Sequence, residues 1–173
     1  MEKIEHETCP ACHNKTLTLT QEETDIPYFG KTYIFSMSCS NCDYHKADIE
    51  AEEQKNPVKI TFNVENKKDL NIRVVRSSEA SIKIPHVGSM DPGEAAEGFV
   101  TNIEGLIERF KKQIEVLRDT AEEDEDRKKA KNLLKKLQRV IWGDEQLKII
   151  IEDPSGNSAI ISDKAVVEKL KSR

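Results

Sequence analysis

Two short stretches decide the architecture of this chain: Cys9-Pro10-Ala11-Cys12 and Cys39-Ser40-Asn41-Cys42. They hold all four cysteines of the 173-residue sequence, and 26 residues separate Cys12 from Cys39. Two thiolates with two residues between them can grip a metal ion from one tight turn, and two such turns complete the tetrahedron that zinc requires. The sequence therefore predicts one structural zinc ion bound by Cys9, Cys12, Cys39 and Cys42.

Other uses of these cysteines fit the sequence less well. Redox C-x2-C motifs do not occur as two matching halves. Disulfides belong to oxidising compartments, whereas residues 1–7 lack the apolar run of a secretory signal. We therefore expect a cytoplasmic protein with thiolate-bound zinc. His13 and His45 could be alternative ligands, but we expect both to be solvated because four sulfurs already close the site.

Composition and charge argue against two classes of partner. Charged residues make up 34% of the chain, and the mean hydropathy is −0.64. No stretch approaches the ~18 apolar residues of a membrane helix, so we expect no membrane partner. Residues 1–56 hold five Lys/Arg and eleven Asp/Glu, a net charge of −6. Phosphate backbones are bound through Lys and Arg, so an acidic zinc module argues against nucleic acid as a partner.

The segment between the cysteine pairs predicts a β-hairpin. Residues 16–20 alternate polar and apolar side chains, and residues 31–38 form a second β-rich run. Pro27 and Gly30 mark the turn. Three apolar residues cluster at this tip and are candidates for contacting a protein partner: Ile26, Tyr28 and Phe29. Packing of the tip on the second domain is an equally open alternative.

The chain divides into two predicted domains. A polar linker from Glu50 to Asn56 ends at Pro57, so residues 1–50 form a zinc ribbon and residues 57–173 a β domain. Alternating apolar residues predict strands in that domain, carried by Val58–Val64, Leu70–Val74, Ala80–Ile84, Leu147–Ile151 and Ala159–Ile161.

Helical periodicity interrupts this β pattern. Apolar residues at helical spacing predict a hairpin of two helices over about residues 101–141, with a capping box from Thr101 to Glu104. The acidic run Glu122–Asp126 is interpreted as a solvated helix start. A short final helix is expected after Ser162 or Asp163, with Val166, Val167 and Leu170 facing inward.

Two further groups of polar residues were weighed as sites. Asp153-Pro154-Ser155-Gly156-Asn157 fits a structural turn, because Asx and glycine chemistry explains each residue without a ligand. Arg73 and Arg76 could pair with acids of a partner, although surface charge is the default expectation.

Several motifs together make the chain resemble the ZPR-one zinc-finger family over nearly its whole length. They are CPAC and CSNC at residues 9–12 and 39–42, IPYFGK at 26–31, DLNIRVVRSSEASIKIP at 69–85, NIEGLIERF at 102–110 and EDPSGNSAI at 152–160. The resemblance implies a four-cysteine zinc ribbon followed by a double-stranded β-helix-like domain with an inserted helical hairpin, a mostly β fold. Eukaryotic members carry two such modules, whereas this sequence carries one and resembles the archaeal form.

The resemblance also implies a function. Family members bind the GTPase translation elongation factor one alpha and, in eukaryotes, assist its folding. We therefore expect a zinc-binding protein-interaction module that binds this factor and assists its folding or regulation. The alternative is a nucleic-acid-binding zinc ribbon acting in transcription or translation. We expect no enzyme: a metal site in the β domain would need a His/carboxylate set, and only His86 lies beyond residue 50. The sequence also lacks a phosphate-binding P-loop.

Overall fold

The computed structural model describes residues 1–26, 30–51, 55–93 and 96–170, with the side chains of residues 26 and 51 excepted. Among the described residues, no helix combines the length and the apolar character needed to cross a bilayer.

The first part of the chain is one antiparallel sheet of four strands in sequential order. The strands are β1 (Glu2–Glu7), β2 (Leu17–Ile26), β3 (Gly30–Cys39) and β4 (His45–Ala51). β2 and β3 pair without interruption from Leu17 opposite Cys39 to Ile26 opposite Gly30. This pairing confirms the predicted hairpin. The strand order places β4 at one edge of the sheet.

The second part of the chain contains two further sheets. A five-stranded sheet has the order β12-β5-β10-β7-β8, and a three-stranded sheet has the order β11-β6-β9. The strands are β5 (Val58–Val64), β6 (Arg73–Arg76), β7 (Ser81–Ile84), β8 (Gly88–Met90), β9 (Phe99–Asn102), β10 (Leu147–Asp153), β11 (Ala159–Ile160) and β12 (Val166–Lys169). Their alternating apolar residues build one core in which Phe62, Ile82, Ile149 and Ile151 are fully buried.

The helical hairpin lies between β9 and β10, as the periodicity predicts. It consists of α1 (Ile103–Thr120) and α2 (Asp124–Trp142). The buried stripe of α1, including Leu106, Ile107 and Phe110, packs into the same core as the sheets. Gly143 ends α2 with a φ of 81°, and its N–H bonds the carbonyl of Val140.

The predicted cap of α1 is wrong by one residue. Asn102 is the cap, and its Oδ1 accepts a hydrogen bond of 2.8 Å from the N–H of Gly105. Thr101 is held in β9, where it pairs with Val74. Because that pairing fixes Thr101 in the sheet, the helix begins after the next residue.

The expected strand from Leu70 to Val74 is shortened by a local structure. Residues Lys67–Asn71 form a short 3₁₀ helix, and β6 begins only at Arg73. Asn66 caps this turn by accepting from the N–H of Lys68 at 3.0 Å, while Asp69 accepts from the N–H of Glu65 at 2.9 Å. Such side-chain bonds to the nearby backbone compete with strand formation.

The predicted final helix is also wrong, because residues 166–169 form the edge strand β12. It pairs antiparallel with β5, from Val166 opposite Thr61 to Lys169 opposite Val58. Val166 and Val167 are 56% and 62% exposed, so neither faces inward. The free edge of β5 offers a full set of backbone partners to two β-branched residues, and this pairing prevails over the helical spacing.

Candidate metal centre

Two tight turns position the four cysteines at one end of the first sheet. In the first turn, Cys9 and Asn14 are joined by a backbone hydrogen bond of 2.9 Å; in the second, Cys39 and Tyr44 are joined by one of 2.8 Å. Each turn needs a left-handed residue immediately after its second cysteine. His13 and Asp43 occupy these positions with φ of 58° and 55°, and both residue types tolerate that region better than most.

The sulfur atoms have the spacing of a tetrahedral thiolate site. All four Sγ atoms lie within 4.8 Å of one another. The Sγ atoms of Cys9 and Cys42 are 3.7 Å apart, as are those of Cys12 and Cys39. Zinc–sulfur bonds of ~2.3 Å at tetrahedral angles place sulfur atoms about 3.8 Å apart. The cysteines are therefore positioned to bind one zinc ion.

Hydrogen bonds prepare one cysteine to act as a thiolate. The Thr16 hydroxyl lies 3.3 Å from Cys39 Sγ, and the N–H of Asn41 donates to the same sulfur at 3.4 Å. The Thr16 hydroxyl and, with smaller effect, the Asn41 N–H lower the pKa of Cys39 to about 6, against the opposing effect of burial. These bonds therefore favour the thiolate form of Cys39, the form that binds a metal ion.

The opposite holds for Cys42. The backbone N–H of Tyr44 lowers its pKa, but burial and the neighbouring cysteine sulfurs together outweigh that bond and raise the pKa to about 12. Four negative sulfurs at this spacing repel one another. A divalent cation removes that repulsion, so metal binding and loss of the thiol protons are coupled at this centre.

The two histidines predicted to be solvated are not part of the centre. His13 and His45 are exposed, and among the described residues the metal-ligating cluster contains the four cysteines alone. Of the three apolar tip residues, Tyr28 and Phe29 lie outside the described residues, as does the side chain of Ile26. Their role therefore stays a prediction.

The turn at residues 153–157 has the structural character that the sequence indicates. Asp153 is fully buried, and its Oδ2 accepts from the Ser77 hydroxyl at 2.9 Å. Its Oδ1 accepts from both the backbone N–H and the hydroxyl of Ser155, at 2.8 and 2.7 Å. Burial raises the pKa of Asp153, but the bonds from Ser158, Ser155 and Ser77 outweigh it and leave the pKa lowered.

The zinc sheet is joined to the rest of the chain along β4. Asp48 Oδ1 accepts a hydrogen bond of 2.8 Å from the N–H of Gly98, and Lys46 forms a 2.9 Å ion pair with Glu97. Ile49 packs on Val75, with Ile34 beside them. No local pattern in the sequence indicates this joint, because Asp48 and Lys46 lie about fifty residues from their partners Gly98 and Glu97.

Arg76 also departs from expectation. It was expected at the surface, but it is 4% exposed and donates to the carbonyls of Ala80 and Glu97, both at 3.0 Å. Arg73 is exposed as expected. Burial and, after it, the nearby Arg109 lower the pKa of Arg76, while Asp153 opposes them.

Comparison with known proteins covers both parts of this structure. Residues 3–56 match the model of the ZPR1 zinc-finger domain, and residues 68–172 match that of the ZPR1 jelly-roll domain. The chain belongs to the ZPR1 family. This finding confirms the resemblance drawn from the motifs and the predicted fold class, since a jelly roll is two packed antiparallel sheets. The two domain boundaries at 1–50 and 57–173 stay a prediction.

Relatives from archaea match nearly the whole chain. It is 39% identical to a ZPR1-like protein of Methanocaldococcus jannaschii, covering 99% of this chain and 91% of that protein. It is 41% identical to a ZPR1-like protein of Pyrococcus horikoshii, covering 94% and 75%. The zinc finger chaperone zpr1 of Schizosaccharomyces pombe is 33% identical over 79% of this chain, which spans 30% of that longer protein.

Proposed function

We propose that this ZPR1-family chain is a zinc-stabilised protein-binding module that binds translation elongation factor one alpha and assists its folding. In this proposal the chain catalyses no reaction of its own. The zinc ion builds the binding scaffold, and the partner is held by side chains of the ribbon.

The closed metal centre is the observation that carries a binding role. Four sulfurs complete the tetrahedron around one ion and leave no position for water or substrate, which is the arrangement of structural zinc. A ligand set of this kind supports a fold and supplies no Lewis-acid chemistry. The zinc finger domain is therefore better suited to present a surface than to transform a substrate.

The name of one relative supports a role in protein folding. The Schizosaccharomyces pombe relative carries the word chaperone in its name, and this chain spans 30% of that protein. Chaperone activity comes to this chain as part of the proposal. The elongation factor comes from the family resemblance.

The ribbon's long hairpin supplies a candidate contact surface. Nine residue steps separate Leu17, beside the metal, from Ile26 at the far end of β2, a span of about 30 Å in an extended strand. Ile26, Tyr28 and Phe29 are proposed as the residues that contact the partner. The cytoplasm is the proposed compartment, because reducing conditions keep four cysteines available to zinc.

The test is a calorimetric titration of zinc-loaded protein into the elongation factor one alpha of the same organism. It is run without nucleotide, with GDP and with a GTP analogue. We expect binding in at least one state, weakened about tenfold or more by Tyr28→Ala with Phe29→Ala, as for apolar anchors of an interface. The matched control removes two exposed valines of β12, Val166→Ala with Val167→Ala, and should change the affinity less than about twofold.

The outcomes separate the parts of the proposal. Absence of binding in every nucleotide state, and to the partly unfolded factor, would contradict the proposed function. Equal affinities for the wild-type chain and the tip variant would retain the partner but exclude the tip as the contact surface.

A further inference from the structure

A groove runs between the edge strands of two sheets at the junction of the two domains, and the Asp48–Gly98 hydrogen bond and the Lys46–Glu97 ion pair join its two sides. β4 is the last strand of the zinc sheet, and β9 is the last strand of the sheet β11-β6-β9. The groove has a volume of about 910 Å³ and is lined on one side by Tyr44 to Ala47 and on the other by Glu97 to Val100. Unpaired strand edges are templates for an added extended chain.

Two guanidinium groups flank one aromatic ring in this groove. The Cζ atom of Arg109 lies 4.2 Å from the centroid of Phe99, and that of Arg76 lies 5.5 Å from the same centroid. Among the residues that the structure describes, no carboxylate forms an ion pair with either arginine. Among the described residues that line the groove, Glu97 is the one acid, and it is already paired with Lys46.

The exposed arginine keeps its hydrogen-bonding capacity. Arg109 is exposed on α1 with its Cζ atom over the Phe99 ring, and no hydrogen bond from its guanidinium group to a described residue occupies its N–H donors. A carboxylate matches that fork of donors in a bidentate pair. The two arginines also repel each other, and an anion placed beside them would relieve that repulsion.

We propose that this groove binds an extended acidic segment of a partner protein, with a carboxylate of the segment paired to Arg109. The charge of the described lining residues carries the choice of occupant, since Glu97 offsets Lys46 and no other lining carboxylate among them balances Arg76 and Arg109. Apolar lining by Ile34, Ile49 and Met90 suits the alternate side chains of a peptide. A nucleic acid fits less well, because edge strands offer backbone N–H and C=O groups that pair with another peptide backbone.

The proposal is tested with a random twelve-residue peptide library selected on the zinc-loaded full chain. We expect enriched peptides to carry acidic residues spaced among apolar ones. A labelled representative should bind the wild-type chain in fluorescence anisotropy, and Arg109→Glu should weaken this binding about tenfold or more. Lys112→Glu makes the same charge change on an exposed residue of α1 outside the groove, and should alter binding less than about twofold.

A second variant controls for loss of binding through misfolding. Arg109→Gln removes the charge without reversing it and should also weaken binding, while circular dichroism and zinc content match the wild-type chain. Enrichment without acidic residues, or equal binding by the Arg109 variants, would overturn the proposal. It would also be overturned if a labelled oligouridylate, inorganic phosphate or a second copy of this chain proved to be the occupant that Arg109→Glu displaces.

Discussion

The carboxylate of Asp48 in β4 accepts a hydrogen bond of 2.8 Å from the backbone N–H of Gly98, which immediately precedes β9. The same Oδ1 atom accepts from the N–H of Ile49 at 2.8 Å, so one side chain fixes β4 and holds it against the second domain. The zinc sheet is therefore connected to the jelly roll by a specific contact as well as by the chain itself. Changes at this joint should reach both parts of the molecule.

Gly98→Ala should disturb the joint directly. A Cβ atom at this position would lie 2.6 Å from the Ile49 carbonyl oxygen and 3.1 Å from that of Arg76, so the backbone of β4 would have to move. We expect a loss of about 1–3 kcal/mol in the free energy of unfolding, measured with chemical denaturant. Gly88→Ala is the matched control, because its Cβ would meet nothing within 4 Å. Equal stabilities of the two variants would show that β4 does not rest against Gly98.

The identity of the cap of α1 gives a second prediction. Asn102→Ala removes the acceptor for the Gly105 N–H and should lower the free energy of unfolding by about 1 kcal/mol. Thr101→Ala should cost less than half of that amount, because Thr101 lies in β9 and caps nothing. Thermal unfolding of the two variants side by side checks this order. A larger loss for Thr101→Ala than for Asn102→Ala would contradict Asn102 as the cap and support the capping box that the sequence predicts.

Asp153 should make stability depend on pH in the acid range. Its pKa in the folded chain is lowered, so its stabilising effect is complete above the ordinary aspartate pKa of about 4 and is lost as the pH falls through the folded value. Asp153→Asn should cost about 2–3 kcal/mol near neutral pH, because Ser77 and Ser155 lose a charged acceptor.

The measurement for Asp153 is the difference in unfolding free energy between the wild-type chain and Asp153→Asn. We expect this difference to stay constant from about pH 5 to 8 and to shrink below about pH 4. Zinc release at low pH affects both proteins and is removed by taking the difference. A difference that persists unchanged at about pH 2.5 would contradict a lowered pKa for Asp153.

Removal of zinc should affect the two domains unequally. Without the ion, four crowded cysteines must take up protons or separate, and the small cluster of Cys9, Leu17 and Cys39 loses its centre. After chelation, hydrogen exchange should show lost protection of β2 and β3, while β5 and β10 remain protected by their own core. Simultaneous loss of protection in β5 and β10 would show that the second domain does not stay folded without the first.

The metal centre could be predicted from the sequence because its information is local. Each C-x2-C turn fixes two ligands within four residues, and the preference of zinc for four tetrahedral ligands brings the two turns together. The strands β5, β7, β10 and β11 and the helical hairpin were equally accessible, since alternation and helical spacing are properties of short windows. These features needed no knowledge of which strand lies beside which.

Three of the missed features depend on contacts between distant parts of the chain. β12 reads as a helix because Val166, Val167 and Leu170 have helical spacing, and only the distant β5 makes it a strand. Arg76 reads as a surface residue because its carbonyl partners, Ala80 and Glu97, are supplied by the fold. The joint between Asp48 and Gly98 likewise unites residues that no local pattern connects.

Zinc-dependent binding is the most direct test of the central claim. Purified chain with zinc, chain stripped of zinc and the Cys39→Ser variant are each titrated with the elongation factor one alpha of the same organism. The account predicts that the zinc-loaded wild-type chain binds, that the other two bind at least about tenfold more weakly, and that restoring zinc to the stripped chain restores its affinity. Equal affinities of all three, or no binding by any of them, would contradict a zinc-built surface for this partner.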